Sequence, residues 1–282
     1  MQLTEPKIIK EILDKNGFSF KKSLGQNFLI NPTVCPKMAE SAVACDETAV
    51  VEIGPGIGVL TAELARVAKN VVSIELDERL RPVLSETLSE FDNTEVVFGD
   101  AMKLDIREII EQRFSGQKVS ICANLPYYIT SPIIMMLLES RLPITSITVM
   151  VQREAAQRIC AKVGSRESGA VTVAVNYYSE PEILFNVSRG SFMPAPNVDS
   201  AVIKLSVLEK PPVEVKNEKE FFTFVRAAFG QRRKTLVNSV SSGCGYSKEQ
   251  IKNALCTNGL NENIRAEKLS MLELANVFNA LG

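Results

Sequence analysis

The 282-residue chain contains no histidine and no tryptophan. The absence of histidine excludes most, because imidazole is the usual general base near neutral pH and the commonest metal ligand. Ser-His-Asp and Cys-His catalysis are ruled out, and so are zinc sites that use histidine. The six cysteines, Cys35, Cys45, Cys122, Cys160, Cys244 and Cys256, form no C-x-x-C pair, so no metal site is expected and reduced thiols are. Net charge is nearly absent as well, at −1 from 32 basic and 33 acidic residues, so a nucleic-acid partner has to be held by a local patch. No run approaches the roughly 18 uncharged apolar residues of a membrane span. The N-terminal MQLTEPKIIKEILDKNGF alternates charge instead of presenting a basic start and an apolar stretch, which argues against a signal peptide. A soluble, cytoplasmic monomer with no membrane contact is the expectation.

What is present is enough apolar material, 45% of residues, for one large domain and a smaller one. Pro6 and Gly17 bracket the apolar stripe Ile8, Ile9, Ile12 and Leu13, which predicts a short N-terminal helix. From residue 49 the chain alternates β-branched runs with helical segments: residues 49–53, 71–75, 95–98, 118–123 and 144–151. That alternation is the pattern of βαβ units around a mostly parallel sheet. Residues 183–187 and 201–208 read as a terminal antiparallel pair. Glu209-Lys210-Pro211-Pro212 interrupts the pattern, since neither proline can donate to a ladder. The expected domains are therefore 1–208, an α/β catalytic domain with the N-terminal helix, and 209–282, a small helical domain. Within the latter, Ser247 with Gln250 and Ser270 with Glu273 have capping-box spacing.

Val51-Glu52-Ile53-Gly54-Pro55-Gly56-Ile57-Gly58 places glycines at alternate positions between a strand and a helix, where they permit a tight turn and close approach to a ligand. Glu75 ends the next strand, 21 residues past Gly54, where a carboxylate can accept from both hydroxyls of a ribose. The spacing is G-x-G-x-G and not the G-x-G-x-x-G that holds a pyrophosphate, which favours a nucleoside over NAD. Asp100 follows the third strand, placed to accept from an adenine amine; capping a helix over 101–113 is the other reading of that residue. A tight turn with no ligand is the alternative for the glycines alone.

Asn124-Leu125-Pro126-Tyr127-Tyr128 lies past the fourth strand, at the edge where doubly wound folds bind ligands. An amide oxygen, a carbonyl fixed by proline and an aromatic plane together make a receptor for a planar amine. A proline turn with core tyrosines is the competing reading, plausible for Tyr128 but poor for the whole string.

With these residues the chain resembles the KsgA-type small-subunit ribosomal RNA adenine dimethyltransferases, a branch of the class I S-adenosylmethionine-dependent methyltransferases. The resemblance runs from about residue 20 to the end. It is carried by Lys21-Lys22-Ser23-Leu24-Gly25-Gln26-Asn27-Phe28-Leu29, the Gly54–Gly58 loop, Glu75, Gly99-Asp100, the string from Asn124 to Pro132, Phe192 to Ser200, and Ala228 to Leu236. The last of these marks this branch against antibiotic-resistance rRNA methylases that share the catalytic domain. The resemblance implies a Rossmann-like methyltransferase sheet with a helical C-terminal domain. It further implies that Asn27, Leu29, Gly54, Gly56, Glu75, Asp100 and Asn124 hold S-adenosyl-L-methionine. Asn124 and the Pro126 carbonyl would then grip adenine N6 between Tyr127 and Phe192. The chain departs from the family at Ser168 and Ala170, where tyrosine and arginine are usual.

The implied partner is the small ribosomal subunit, whose backbone would be attracted by Lys21, Lys22, Arg232, Arg233 and Lys234; a solvated face is the alternative for each basic run. Residues 209–282 hold 11 Lys and Arg against 8 Asp and Glu, a net of +3, so shape recognition of assembled RNA is expected to outweigh bulk charge. The implied product is N6,N6-dimethyladenosine at two adjacent adenines near the 3′ end of the RNA. An assembly factor that clamps immature subunits, with methylation secondary, is the second class of function. An NAD-dependent dehydrogenase is the third, disfavoured by the glycine spacing.

Overall fold

The computed structural model describes residues 3–17 and 28–281. Lys21, Lys22 and Asn27 lie outside them. In chain order the elements are α1 (Pro6–Lys15), β1 (Phe28–Leu29), α2 (Val34–Ala42), β2 (Thr48–Ile53), α3 (Val59–Val67), β3 (Asn70–Glu75), α4 (Arg81–Thr87), β4 (Thr94–Phe98), α5 (Ile106–Arg113), β5 (Lys118–Asn124) and α6 (Tyr127–Glu139). There follow β6 (Ser146–Gln152), α7 (Arg153–Ile159), α8 (Ala170–Tyr178), β7 (Ser179–Val187), β8 (Phe192–Met193), β9 (Ser200–Val207), α9 (Glu218–Phe229), α10 (Leu236–Gly243), α11 (Lys248–Thr257) and α12 (Met271–Asn279).

Seven strands form one sheet in the order β4-β3-β2-β5-β6-β9-β7. The pairs among β4, β3, β2, β5 and β6 are parallel, and β9 runs antiparallel to β6. This is the expected mostly parallel sheet with an antiparallel edge. The six residues of β2 are all buried, as a central strand covered on both faces must be. Strand order reverses between β2 and β5, so the crevice beyond their carboxyl ends is where an open α/β sheet accommodates a ligand.

A second, two-stranded ladder pairs Phe28 with Met193 and Leu29 with Phe192. It brings together two segments more than 160 residues apart. Helix α1 forms as expected and buries Ile9, Ile12 and Leu13 in one cluster with Leu80, Val83 and Leu84.

The described chain divides into two compact units, Met1–Ala156 with Glu182–Val207, and Gln157–Pro181 with Leu208–Gly282. The chain passes from the first unit to the second at 207/208, ahead of Pro211 and Pro212. Residues 157–181, expected in the catalytic domain, group instead with the C-terminal helices. The reason is aromatic: Tyr178 stacks on Phe222 with centroids 5.4 Å apart, Tyr177 meets the same ring edge-on at 5.1 Å, and the Tyr178 hydroxyl donates to Glu218 at 2.7 Å. Both capping boxes form, Ser247 with Gln250 on α11 and Ser270 with Glu273 on α12. Each satisfies backbone donors that a helix start otherwise leaves free.

Candidate active site at the carboxyl ends of the strands

Four consecutive parallel strands deliver the polar residues singled out in the sequence. Gly54 follows β2, Glu75 ends β3, Asp100 lies two residues past β4, and Asn124 ends β5. They line one cavity of about 320 Å³, a volume suited to a small organic ligand.

The glycine loop is shaped by positive φ at Gly54 (+74°) and Gly56 (+60°), a region that side chains with a Cβ rarely enter. A Cβ at Gly54 would also sit 3.2 Å from Leu125 Cδ2, closer than ordinary contact. The loop is tied down from the next strand, because the Gly56 N–H donates to Glu75 Oε2 at 3.1 Å. The Asp77 N–H donates to the other oxygen, Oε1, at 2.8 Å. Each oxygen of the carboxylate thus accepts from the backbone, and a carboxylate oxygen can accept more than one hydrogen bond. Burial raises the Glu75 pKa, and the N–H groups of Asp77 and Gly56 oppose that rise.

Directly beneath the loop, Glu52 is fully buried. Its Oε2 accepts from Thr61 Oγ1 and Ser73 Oγ, both at 2.6 Å, while Oε1 has no partner among the described residues. Desolvation pushes its pKa up to about 7, against the pull of these two hydroxyls.

Asp100 does not cap a helix over 101–113. The helix starts only at Ile106, and Asp105 caps it by accepting from the Glu108 N–H at 3.0 Å. Asp100 instead accepts from the Met102 N–H at 3.0 Å and keeps its remaining acceptor positions beside the cavity, with Lys103 Nζ at 3.5 Å.

Asn124 is half-buried and its side-chain amide has no hydrogen-bond partner among the described residues. An amide in that state at a cavity wall is an open donor and acceptor. The Pro126 carbonyl is differently placed: it already accepts from the Ile129 N–H at 3.1 Å and from Thr130 Oγ1 at 3.0 Å. Both its lone pairs are engaged by the first turn of α6, so of the two acceptors read from the sequence only Asn124 stands open here.

Tyr127 opens α6, with its hydroxyl 2.7 Å from Ser200 Oγ at the start of β9. Ser200 is buried, so this bond anchors the ring from the antiparallel strand. Phe192 lines the same cavity from β8, and Leu29 lines it from β1, held there by the short ladder between them. Every described residue expected at the cofactor and base sites therefore meets at one cavity.

Several residues given no role from the sequence also line or support the cavity. Phe28, Leu76 and Met102 add apolar wall, and Ser200 adds the anchor for Tyr127. Leu76 and Met102 were detectable as apolar residues within two positions of the acids they accompany. Tyr128 is not a core tyrosine: it is 65% exposed at the cavity.

The site fits S-adenosylmethionine on its own chemistry. Glu75 brings a carboxylate to the cavity wall among apolar side chains, a pairing that suits a ribose with its hydroxyls. A turn of glycines, one of which a Cβ would press against Leu125, brings the backbone close.

In the second unit, Arg232, Arg233 and Lys234 are all exposed. Arg232 Nη2 donates to the Arg166 carbonyl at 2.8 Å, which sets the basic cluster beside the loop that carries Ser168 and Ala170. Among the described residues no group of three or more metal-ligating side chains gathers, and no helix is long and apolar enough to cross a membrane.

A family model described as ribosomal RNA adenine dimethylase matches residues 17–282. A protein of Anoxybacillus flavithermus named ribosomal RNA small subunit methyltransferase A is 47% identical over 283 residues, covering 99% of this chain and 96% of its own length. A Geobacillus thermodenitrificans protein of the same name is 48% identical over 285 residues, covering 99% and 97%. Among solved structures, a dimethyladenosine transferase from Plasmodium falciparum aligns with a TM-score of 0.71 at 27% identity, covering 89% of this chain and 95% of that one. The 23S rRNA methyltransferase ErmE aligns with a TM-score of 0.69 at 28% identity, covering 90% and 99%.

Proposed function

The chain belongs to the ribosomal RNA adenine dimethylase family, and from that premise we propose the reaction and the residues that perform it. The protein is an S-adenosylmethionine-dependent methyltransferase that modifies N6 of adenines in small-subunit ribosomal RNA, giving N6,N6-dimethyladenosine. The observation that carries this reading is the open Asn124 amide at the end of β5, in the same cavity as Glu75 and Asp100.

S-adenosylmethionine, when bound, supplies a methyl group already activated by a sulfonium sulfur. No strong base is then required, which a chain without histidine can satisfy. Glu75 accepts from the ribose hydroxyls of the cofactor, Asp100 accepts from its adenine amine, and Gly54, Gly56 and Leu29 shape its seat. On the substrate side, Asn124 Oδ1 accepts from an N6 proton of the target adenine. That bond favours a pyramidal nitrogen and stabilises the positive charge that develops on it. Tyr127 and Phe192 hold the ring between them. The Pro126 carbonyl serves as second acceptor once the Thr130 hydroxyl turns away from it. The nitrogen, made acidic by alkylation, then gives its proton to water.

The target base has to leave its stack to enter such a cavity, which costs least in a single-stranded loop. Arg232, Arg233 and Lys234 supply attraction for the RNA backbone, joined by Lys21 and Lys22. The partner is the small ribosomal subunit, met in the cytoplasm by a monomeric enzyme. Incubation of unmethylated small subunits with methyl-labelled S-adenosylmethionine, followed by nucleoside analysis, tests the reading. Label in dimethyladenosine is the expected result, and label in any other nucleoside would redirect it.

A further inference from the structure

The mouth of the catalytic cavity carries an aromatic ring to which the reaction described above gives no task. Tyr128 lines the cavity yet is 65% exposed, and its hydroxyl has no partner among the described residues. It follows Tyr127 directly in the first turn of α6. Neighbouring positions on a helix diverge by about 100°, so the two rings cannot face the same way. Tyr127 is turned toward the sheet and fixed by Ser200, and Tyr128 is left in solvent at the rim. Among the described residues nothing in the packing accounts for a tyrosine there, since its ring is mostly exposed and its hydroxyl has no partner.

The substrate supplies the missing partner. An adenine drawn into the cavity stays joined through its backbone to the next nucleotide, and that nucleotide loses the stacking surface its neighbour provided. Its uncovered base face lies outside the cavity, where Tyr128 presents a flat, uncharged ring. Aromatic side chains at such places hold unstacked bases irrespective of sequence, because every base has a π-face. Resting on the functional reading above, we propose that Tyr128 stacks on the nucleobase adjacent to the adenine being methylated, replacing the stack that base flipping breaks. Tyr127 and Tyr128 then divide two consecutive bases, one inside the cavity and one across its mouth. The residue acts on the RNA directly and has no part in holding the cofactor.

The role separates in kinetics from a structural one. Tyr128→Ala should raise KM for unmethylated small subunits about tenfold, within the range for one base stacked on an aromatic ring, with kcat little changed. Its melting temperature and its affinity for S-adenosylmethionine should match the wild type, because an exposed ring supports neither. Tyr128→Phe and Tyr128→Trp should restore KM, since stacking needs the plane and not the hydroxyl. A Tyr128→Ala enzyme with wild-type KM, or a Tyr128→Phe enzyme as impaired as Tyr128→Ala, overturns the inference while leaving the functional reading in place. Wild-type protein that forms no dimethyladenosine overturns both.

Discussion

Glu52 should make the stability of this protein fall as pH rises, and the size of the fall can be worked out. Its carboxyl is fully buried with one oxygen unpartnered, and its pKa stands at about 7 in place of an ordinary 4.5. Between those two values the folded protein keeps a proton that the unfolded chain has released. Protons bound by the folded state alone make stability decline with rising pH across that window. Each factor of ten in proton affinity is worth about 1.4 kcal/mol, so the decline is on the order of 3 kcal/mol, present below about pH 4.5 and lost above about pH 7. Burial raises Glu75 too, which adds to the decline with the same sign. With no histidine in the chain, no imidazole titrates across this range to obscure it. Glu52→Gln keeps an amide oxygen for Thr61 and Ser73 and places an uncharged NH2 where Oε1 stood. It incurs the constant cost of a buried unpaired donor but loses the titration. Urea unfolding at about pH 5 and pH 8 should show a marked loss of stability in the wild type and a much smaller one in Glu52→Gln. Equal slopes for the two proteins would mean that Glu52 is ionised throughout and that the desolvation argument is wrong.

Three further outcomes follow from the site. Glu75→Gln removes a charged acceptor from the ribose position and should weaken S-adenosylmethionine binding about ten- to a hundredfold by calorimetry; unchanged affinity would take Glu75 out of the cofactor site. Tyr127→Phe should keep most activity but lose about 1 kcal/mol of stability, because Ser200 Oγ loses its bond, whereas Tyr127→Ala should lose activity; equal inactivity of both in single-turnover assays would replace stacking with a hydroxyl-dependent role. Neutralising Arg232, Arg233 and Lys234 together should weaken subunit binding and flatten its dependence on salt, and an unaltered salt slope would return the cluster to a solvated face.

The sheet was legible because β-branched runs separated by helical segments have few other solutions, and the cavity edge because a glycine turn and two acids recur at strand ends. Long-range pairing was not legible from residues alone. Nothing near Leu29 indicates that it will pair with Phe192, and only the resemblance placed both at the site. The grouping of residues 157–181 with the C-terminal helices was hidden for a similar reason, since Tyr177 and Tyr178 find Phe222 more than 40 residues away. The sequence left a core position open for Tyr128, which is 65% exposed, because adjacent aromatic residues give no sign of which one faces the protein. The engagement of the Pro126 carbonyl by Ile129 and Thr130 depends on where α6 begins, and helix starts are poorly marked when the cap is a proline without a side-chain acceptor.

The proposed function turns on Asn124 holding the target adenine. It is tested most directly by measuring single-turnover methyl transfer to unmethylated small subunits alongside S-adenosylmethionine affinity, in wild type and Asn124→Ala. Asn124→Ala should retain most of its cofactor affinity, because Glu75 and Asp100 are untouched, while transfer should fall by at least a hundredfold, the scale on which one acceptor for developing charge acts. Residual product should accumulate as monomethyladenosine, since the second transfer has only one N6 proton left to be held. An Asn124→Ala enzyme that forms dimethyladenosine at the wild-type rate would remove Asn124 from the chemistry at adenine N6.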